Sequence, residues 1–165
     1  MFVGFLVSAL RGGTQHLVLV VRGEKGSGKS VLLRASRELV DPTTQPKRRP
    51  PREERDIASA VSNNYLIGYD NVSRIPREIS DALASVVTGG GCAGRSLYTD
   101  DEEFVVGGSR PMMLNGITFD VESDLSDRAI MFELRRFEKF IDEDDLWSGF
   151  DIIRASVFGA LLDAV

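Results

Sequence analysis

Residues 17–40 read LVLVVRGEKGSGKSVLLRASRELV. The opening LVLVVRG is a continuous apolar run that ends in glycine, the pattern of a strand buried on both faces of a parallel sheet. Gly23-Glu24-Lys25-Gly26-Ser27-Gly28-Lys29-Ser30 follows at once and fits the full phosphate-loop pattern G-x-x-x-x-G-K-S. After it, Val31, Leu32, Ala35 and Leu39 recur at helical spacing, and the helix is expected to stop before Pro42. Strand, glycine loop and helix in that order have a specific chemical use. A polyphosphate needs many N–H donors converging on one point, and glycines let the backbone curl closely enough to supply them. The helix contributes its positive N-terminal end. Lys29 is positioned for the β and γ phosphates of ATP, and the Ser30 hydroxyl for Mg²⁺.

Mg²⁺ also needs a carboxylate, supplied in such enzymes from the end of a neighbouring strand. Residues 64–71, NYLIGYDN, read as that second strand and make Asp70 the candidate; the alternative is an aspartate capping the next turn. An amide, Asn71, stands where many ATPases of this kind carry a second acid, and it orients water better than it removes a proton. Two further strands are expected at 111–117, PMMLNGI, and 129–134, AIMFEL. Asn115 ends the first of these, either as a sensor of the γ phosphate or as part of an Asn-Gly turn. Arg128, in a polar loop with Asp124 and Asp127, is either a cation reaching the phosphates of an adjacent subunit or a surface ion pair. His16 has no visible partner and reads as structural.

Between these elements, residues 41–51 read as an exposed connection and ERDIASAVSNN as a short helix. Pro76 opens a helix with Ile79, Leu83 and either Val86 or Val87 along one face, closed by Gly89-Gly90-Gly91. Residues 95–106 read as a hairpin with a polar centre, and the chain closes with helices near 142–150 and 152–165. The sum is one three-layer α/β P-loop NTPase domain over residues 1–165, with a mainly parallel sheet and an inserted β-hairpin.

Composition narrows the function classes. A chain of 165 residues, 42% hydrophobic and 27% charged, suits one globular domain. The lone Cys92 cannot make an internal disulfide, which fits a reducing cytoplasm. The apolar start MFVGFLVSAL is too short to span a bilayer and lacks a basic leading segment, so it reads as a docking helix and no membrane role is expected. Net charge is -5, which excludes a global basic field for holding a polyanion. The densest basic stretch is Lys47, Arg48, Arg49, Arg52 and Arg55, a solvated loop or a local nucleic-acid contact.

At this point the order of motifs resembles a family: the superfamily 3 helicase ATPases of viruses and mobile elements, especially the AAA+-like modules attached to phage and plasmid primases. GEKGSGKS is similar to its Walker A, YLIGYDN to its Walker B, residues 88–117 to the run from its B-prime hairpin into its sensor strand, and DLSDRAI to its arginine-finger loop. The resemblance implies phosphate and Mg²⁺ roles for Lys29 and Ser30, the Walker B role for Asp70, the sensor role for Asn115 and the finger for Arg128. It also implies a hexameric ring that binds ATP between subunits and drives DNA through its pore. The hairpin tip, Asp100-Asp101-Glu102-Glu103, is acidic, so single-stranded DNA is expected at Arg95 and Arg110 instead, with the basic loop as a second place. The chain begins almost at its first strand, which suggests a truncated gene or an excised module. Two functions from different classes follow: an ATP-hydrolysing DNA helicase or translocase of a mobile-element or phage replication protein, and an ATP-binding switch that hydrolyses little.

Overall fold

In β1 (Val18–Gly23), Val18 and Val20 point to one side of the sheet and Leu19 and Val21 to the other, and all four are fully buried. A strand covered on both faces belongs inside a sheet with helices above and below. The computed structural model, which describes residues 1–90, 92–95, 103–106, 108–139 and 141–165, has that architecture. Side chains are described for all of these except 92–95, 103–106 and 123. Three further strands, β2 (Ile67–Val72), β5 (Met112–Gly116) and β6 (Ala129–Leu134), complete a four-stranded, all-parallel sheet in the order β2-β5-β1-β6. Two short antiparallel strands, β3 (Cys92–Arg95) and β4 (Glu103–Val106), form the separate hairpin.

The helices divide between the faces. On one side, α3 (Glu54–Asn63) and α4 (Arg77–Thr88) deliver Ile57, Val61, Ile79, Leu83 and Val86 onto Val18, Val20, Met112 and Leu114. On the other, α1 (Phe2–Leu10), α2 (Lys29–Val40) and Leu161 of α6 (Glu143–Leu162) cover Leu19, Val21 and Met113. The result is the three-layer α/β P-loop fold with an inserted hairpin. The N-terminal segment is a docking helix, with Phe5, Leu6 and Ala9 buried. Among the described residues, no helix is long and apolar enough to cross a membrane.

Several elements differ from their sequence pattern. Leu33, Ser36, Arg37 and Leu39 form the buried side of α2, whereas Val31, Leu32 and Ala35 are half-exposed. Leu33 goes inward because Gly68 of β2 leaves it room: a Cβ on Gly68 would stand 2.5 Å from Leu33 Cδ1. The polar loop before β6 contains one helical turn, α5 (Ser123–Ser126). The closing segment is a single helix of 20 residues, since nothing between 150 and 152 breaks it. The connection after α2 is not wholly free. Arg48 forms a parallel bridge to Tyr69, its N–H donating to Gly68 O at 2.9 Å and its carbonyl accepting from Asp70 N at 2.9 Å. The basic stretch is thereby pinned along the open edge of β2. In the hairpin, Glu103 lies within β4, while residues 96–102, with the acidic Asp100, Asp101 and Glu102, lie outside the described residues.

One polar network fixes the end of α2 against β2. Arg37 is 2% exposed; its guanidinium donates to Asn64 Oδ1 at 2.9 Å and faces Asp41 Oδ2 at 3.3 Å. The same Asp41 oxygen accepts from the Tyr65 and Leu66 N–H groups at 2.8 and 3.0 Å. Burial pushes the Arg37 pKa down, and the Asp41 charge opposes it. Removing one partner of a buried ion pair strands the other, so Asp41→Ala is expected to cost about 3–5 kcal/mol. Chemical denaturation checks this; a loss below about 1 kcal/mol, the range for an exposed pair, would contradict the network's role.

Candidate nucleotide-binding site

In a parallel α/β sheet, ligands bind beyond the carboxyl ends of the strands. Four sequence features meet there. Gly23 ends β1, Asp70 and Asn71 end β2, Asn115 and Gly116 end β5, and β6 ends at Leu134 opposite Gly23. The strand carrying Asn115 lies between the one that leads into the glycine loop and the one that carries Asp70.

The loop is shaped by close approaches that only glycine permits. A Cβ on Gly23 would lie 2.5 Å from the Leu134 carbonyl oxygen. Gly28, the residue before α2, has φ 83° and stands against the Phe137 ring, where a Cβ would meet Cε2 at 2.7 Å. Lys29 folds back across the loop: its ammonium donates to Gly23 O at 2.7 Å, Glu24 O at 2.8 Å and Ser27 Oγ at 3.3 Å. Those acceptors hold the charge where a phosphate oxygen would take it over. Glu24, Lys25 and Gly26 are exposed on the outer rim, and Ser27 is buried.

Ser30 Oγ donates to Asp70 Oδ2 at 2.7 Å, joining the first turn of α2 to the end of β2. A hydroxyl and a carboxylate are hard oxygen donors suited to Mg²⁺, which keeps several waters and takes phosphate oxygens besides. The residues present therefore fit the metal, and among the described residues no group of three His, Cys, Asp or Glu offers a fuller protein cage. Ser30 and Asp70 would hold it.

Asn71 is exposed and has φ 59°, at the point where the pairing of β2 with β5 slips between Tyr69 and Val72. Asparagine adopts this left-handed conformation more readily than most residues, and this is a backbone reason for the amide. Asn115 is fully buried and donates from Nδ2 to Lys29 O at 2.8 Å, which ties the central strand to the start of α2. Its Oδ1 has no hydrogen-bond partner among the described residues. In this arrangement the Asn115 amide N–H holds the helix, leaving the carbonyl oxygen for a water or ligand donor.

Arg128 and Arg110 lie at the other end of the sheet. The Arg128 carbonyl accepts from Val18 N at 2.9 Å, so Arg128 precedes β6 beside the start of β1, about 17 Å of strand from the loop. Its guanidinium pairs with the carboxylate of Asp124 and donates to Asp124 O at 2.6 Å. Arg110 is half-buried, donates to Ser109 O at 3.2 Å and sits 5.9 Å from the Tyr65 ring centroid. The Arg95 side chain lies outside the described residues. His16 is buried beside Tyr65, whose hydroxyl is 3.4 Å from its Nε2. Burial holds its pKa below the ordinary imidazole value, with the Arg110 charge acting the same way, so His16 is a neutral packing residue.

The sequence pattern did not reveal the apolar rim. A cavity of ≈ 490 Å³ opens over Gly26, Gly28 and Lys29 and is walled by Ile117, Phe137 and Ile141. Phe137 and Ile141 stand among charged residues in RRFEKFIDEDD, and apolar side chains isolated in so polar a stretch were the available signal.

Two solved structures share this fold. A helicase of JCV, crystallised with a thiazolopyridine acetamide compound, superposes with a TM-score of 0.57 at 13% identity, covering 98% of this chain and 52% of that one. The C-terminal region of NrS-1 gives 0.58 at 14% identity, covering 97% of this chain and 39% of that one. The chain thus spans about half or less of their length, and at these identities the likeness is one of fold. No curated protein sequence matches the chain. The family model described as the actinomycete integrative conjugative element replication protein matches residues 1–165. The chain belongs to this family of replication proteins.

Proposed function

We propose that the chain is an ATP-binding and ATP-hydrolysing motor module, a helicase or translocase that works on DNA during replication of its element. The observation that carries this reading is the Ser30–Asp70 contact at 2.7 Å beneath a glycine loop that opens a helix. It joins the two protein groups that Mg²⁺ requires, at the place where a phosphate chain would lie. In this reading Lys29 leaves the loop carbonyls for the β and γ phosphates and the free N–H groups at the start of α2 receive phosphate oxygens; Mg²⁺ held by Ser30 and Asp70 would supply neutralising positive charge beside them. Asn115 and Asn71 orient the attacking water.

The separation of Arg128 from its own loop supports action in trans. A side chain one strand length away cannot reach its own phosphates, whereas a neighbour in a ring can present it. We assign DNA contact to Arg95, which pairs in register with Glu103 at the end of the hairpin strands away from the Cys92–Val106 base, and to Arg110, which precedes β5, with the pinned stretch that includes Lys47, Arg48, Arg49 and Arg52 as a second surface. A second reading, a nucleotide-binding switch with little turnover, is favoured by Asn71, which is a poor base.

Asp70→Asn separates metal use from nucleotide capture. The variant is expected to bind ATP in EDTA as the parent does. Its apparent Mg²⁺ affinity in turnover should weaken about 10- to 100-fold, so that more Mg²⁺ is needed. Titrating Mg²⁺ in a turnover assay reads this directly. An unchanged Mg²⁺ dependence would mean that another carboxylate serves the metal.

A further inference from the structure

The phosphate loop has two ends. One is the metal end, where Ser30, Asp70 and Asn71 meet below β2 and β5; the other lies on the β6 side. A triphosphate seated with its γ group at the metal end must lead its nucleoside toward β6. There the chain leaves Leu134 and returns over the loop, laying the Phe137 ring against Gly28. Phe137 is 57% exposed and Ile141 69%, and neither is used by the core. With Val31 and Leu146 they line the same ≈ 490 Å³ cavity that reaches Gly26 and Lys29, a volume within the usual range for small-molecule sites. Among the described residues lining the cavity, the hydrogen-bond acceptors Ser30 and Asn71 belong to the metal end, whereas Lys25 and Lys139 offer donors alone.

Resting on the nucleotide reading of the loop, we infer that this cavity receives the purine base, that Phe137 is its stacking platform, and that the site discriminates weakly between adenine and guanine. The two bases differ in the donors and acceptors on their edges. A site rejects the wrong one strongly only when its own buried polar groups would be left unpaired. Stacking on an aromatic ring accepts either base. Continuity with the phosphate loop selects a nucleotide as the occupant over a peptide or a lipid.

Calorimetry with ATP, GTP and inorganic tripolyphosphate, on the parent, Phe137→Ala and Phe137→Trp, tests this. The parent is expected to bind ATP and GTP within about tenfold of each other, the modest discrimination of a pocket without specific hydrogen bonds. Phe137→Ala should weaken both by about 5- to 100-fold, the effect of removing a stacked ring, and Phe137→Trp should restore them. Tripolyphosphate, which has no base, should bind all three proteins alike. An unchanged ATP affinity in Phe137→Ala overturns the platform. So does an equal loss for tripolyphosphate, because Phe137 would then act on the loop alone. A preference for one purine of about 10⁴-fold overturns the permissive site. If the parent binds neither ATP nor tripolyphosphate, the nucleotide reading itself fails and the base site with it.

Discussion

Lys29→Ala protein is expected to bind ATP about 10²- to 10⁴-fold more weakly than the parent, because it loses two charge-assisted contacts worth about 1.5–3 kcal/mol each. The fold should survive. Lys29 is half-buried, and of its partners Glu24 is exposed and Gly23 half-buried, so water can replace the ammonium there; Ser27 Oγ is buried and loses only its longest contact, at 3.3 Å. Loss of affinity with an unaltered unfolding midpoint is therefore the signature of a phosphate ligand. Equal affinity in variant and parent would remove the phosphate role of the loop. A large fall in stability would instead make Lys29 a strut that holds the loop closed.

The second large effect concerns Arg128. If it acts on phosphates in a neighbouring subunit, Arg128→Ala should bind ATP nearly normally and turn it over about 10³- to 10⁵-fold more slowly, the range for a finger supplied in trans. The competing account is an exposed ion pair with Asp124. Such pairs contribute about 0–1 kcal/mol, so on that account the substitution lowers stability slightly and leaves turnover alone. Mixing Arg128→Ala with Lys29→Ala protein distinguishes the two further. One subunit then offers an intact loop and its neighbour an intact finger, and some turnover should return. Recovery of nothing, in mixtures where mixed oligomers demonstrably form, would end the trans assignment. For the finger to act, Arg128 must leave Asp124, so the exposed pair reads as a resting contact.

Much of the fold was legible because its signals are local. The apolar run at 17–23, the glycine loop and the helix start at Lys29 follow one another without interruption, and α4 carries both its starting proline and its closing Gly89. What was not legible depends on partners distant in sequence. Nothing local tells that Gly68 admits Leu33 and so rotates the buried side of α2, or that Arg37 goes inward to meet Asn64. The single helix α6 was read as two because an amphipathic pattern is weak where only Leu161 is buried.

The candidate site divides in the same way. Asp70 was legible as the acidic end of an apolar strand, and the sheet order brings it to Ser30. Asn71 read as a missing acid, yet its positive φ gives the amide a conformational reason that only the backbone reveals. Arg110 and Arg128 lie far from the loop because parallel strands send their amino and carboxyl ends to opposite edges of the sheet. That geometry turns an ambiguous surface arginine into a specific test of assembly.

The account stands most directly on ATP turnover with Mg²⁺, measured with and without single-stranded DNA. The parent is expected to hydrolyse ATP, to do so faster when DNA is present, and to lose both properties in Lys29→Ala. Tight ATP binding with negligible turnover, unchanged by DNA, would contradict the motor and leave a nucleotide-binding switch.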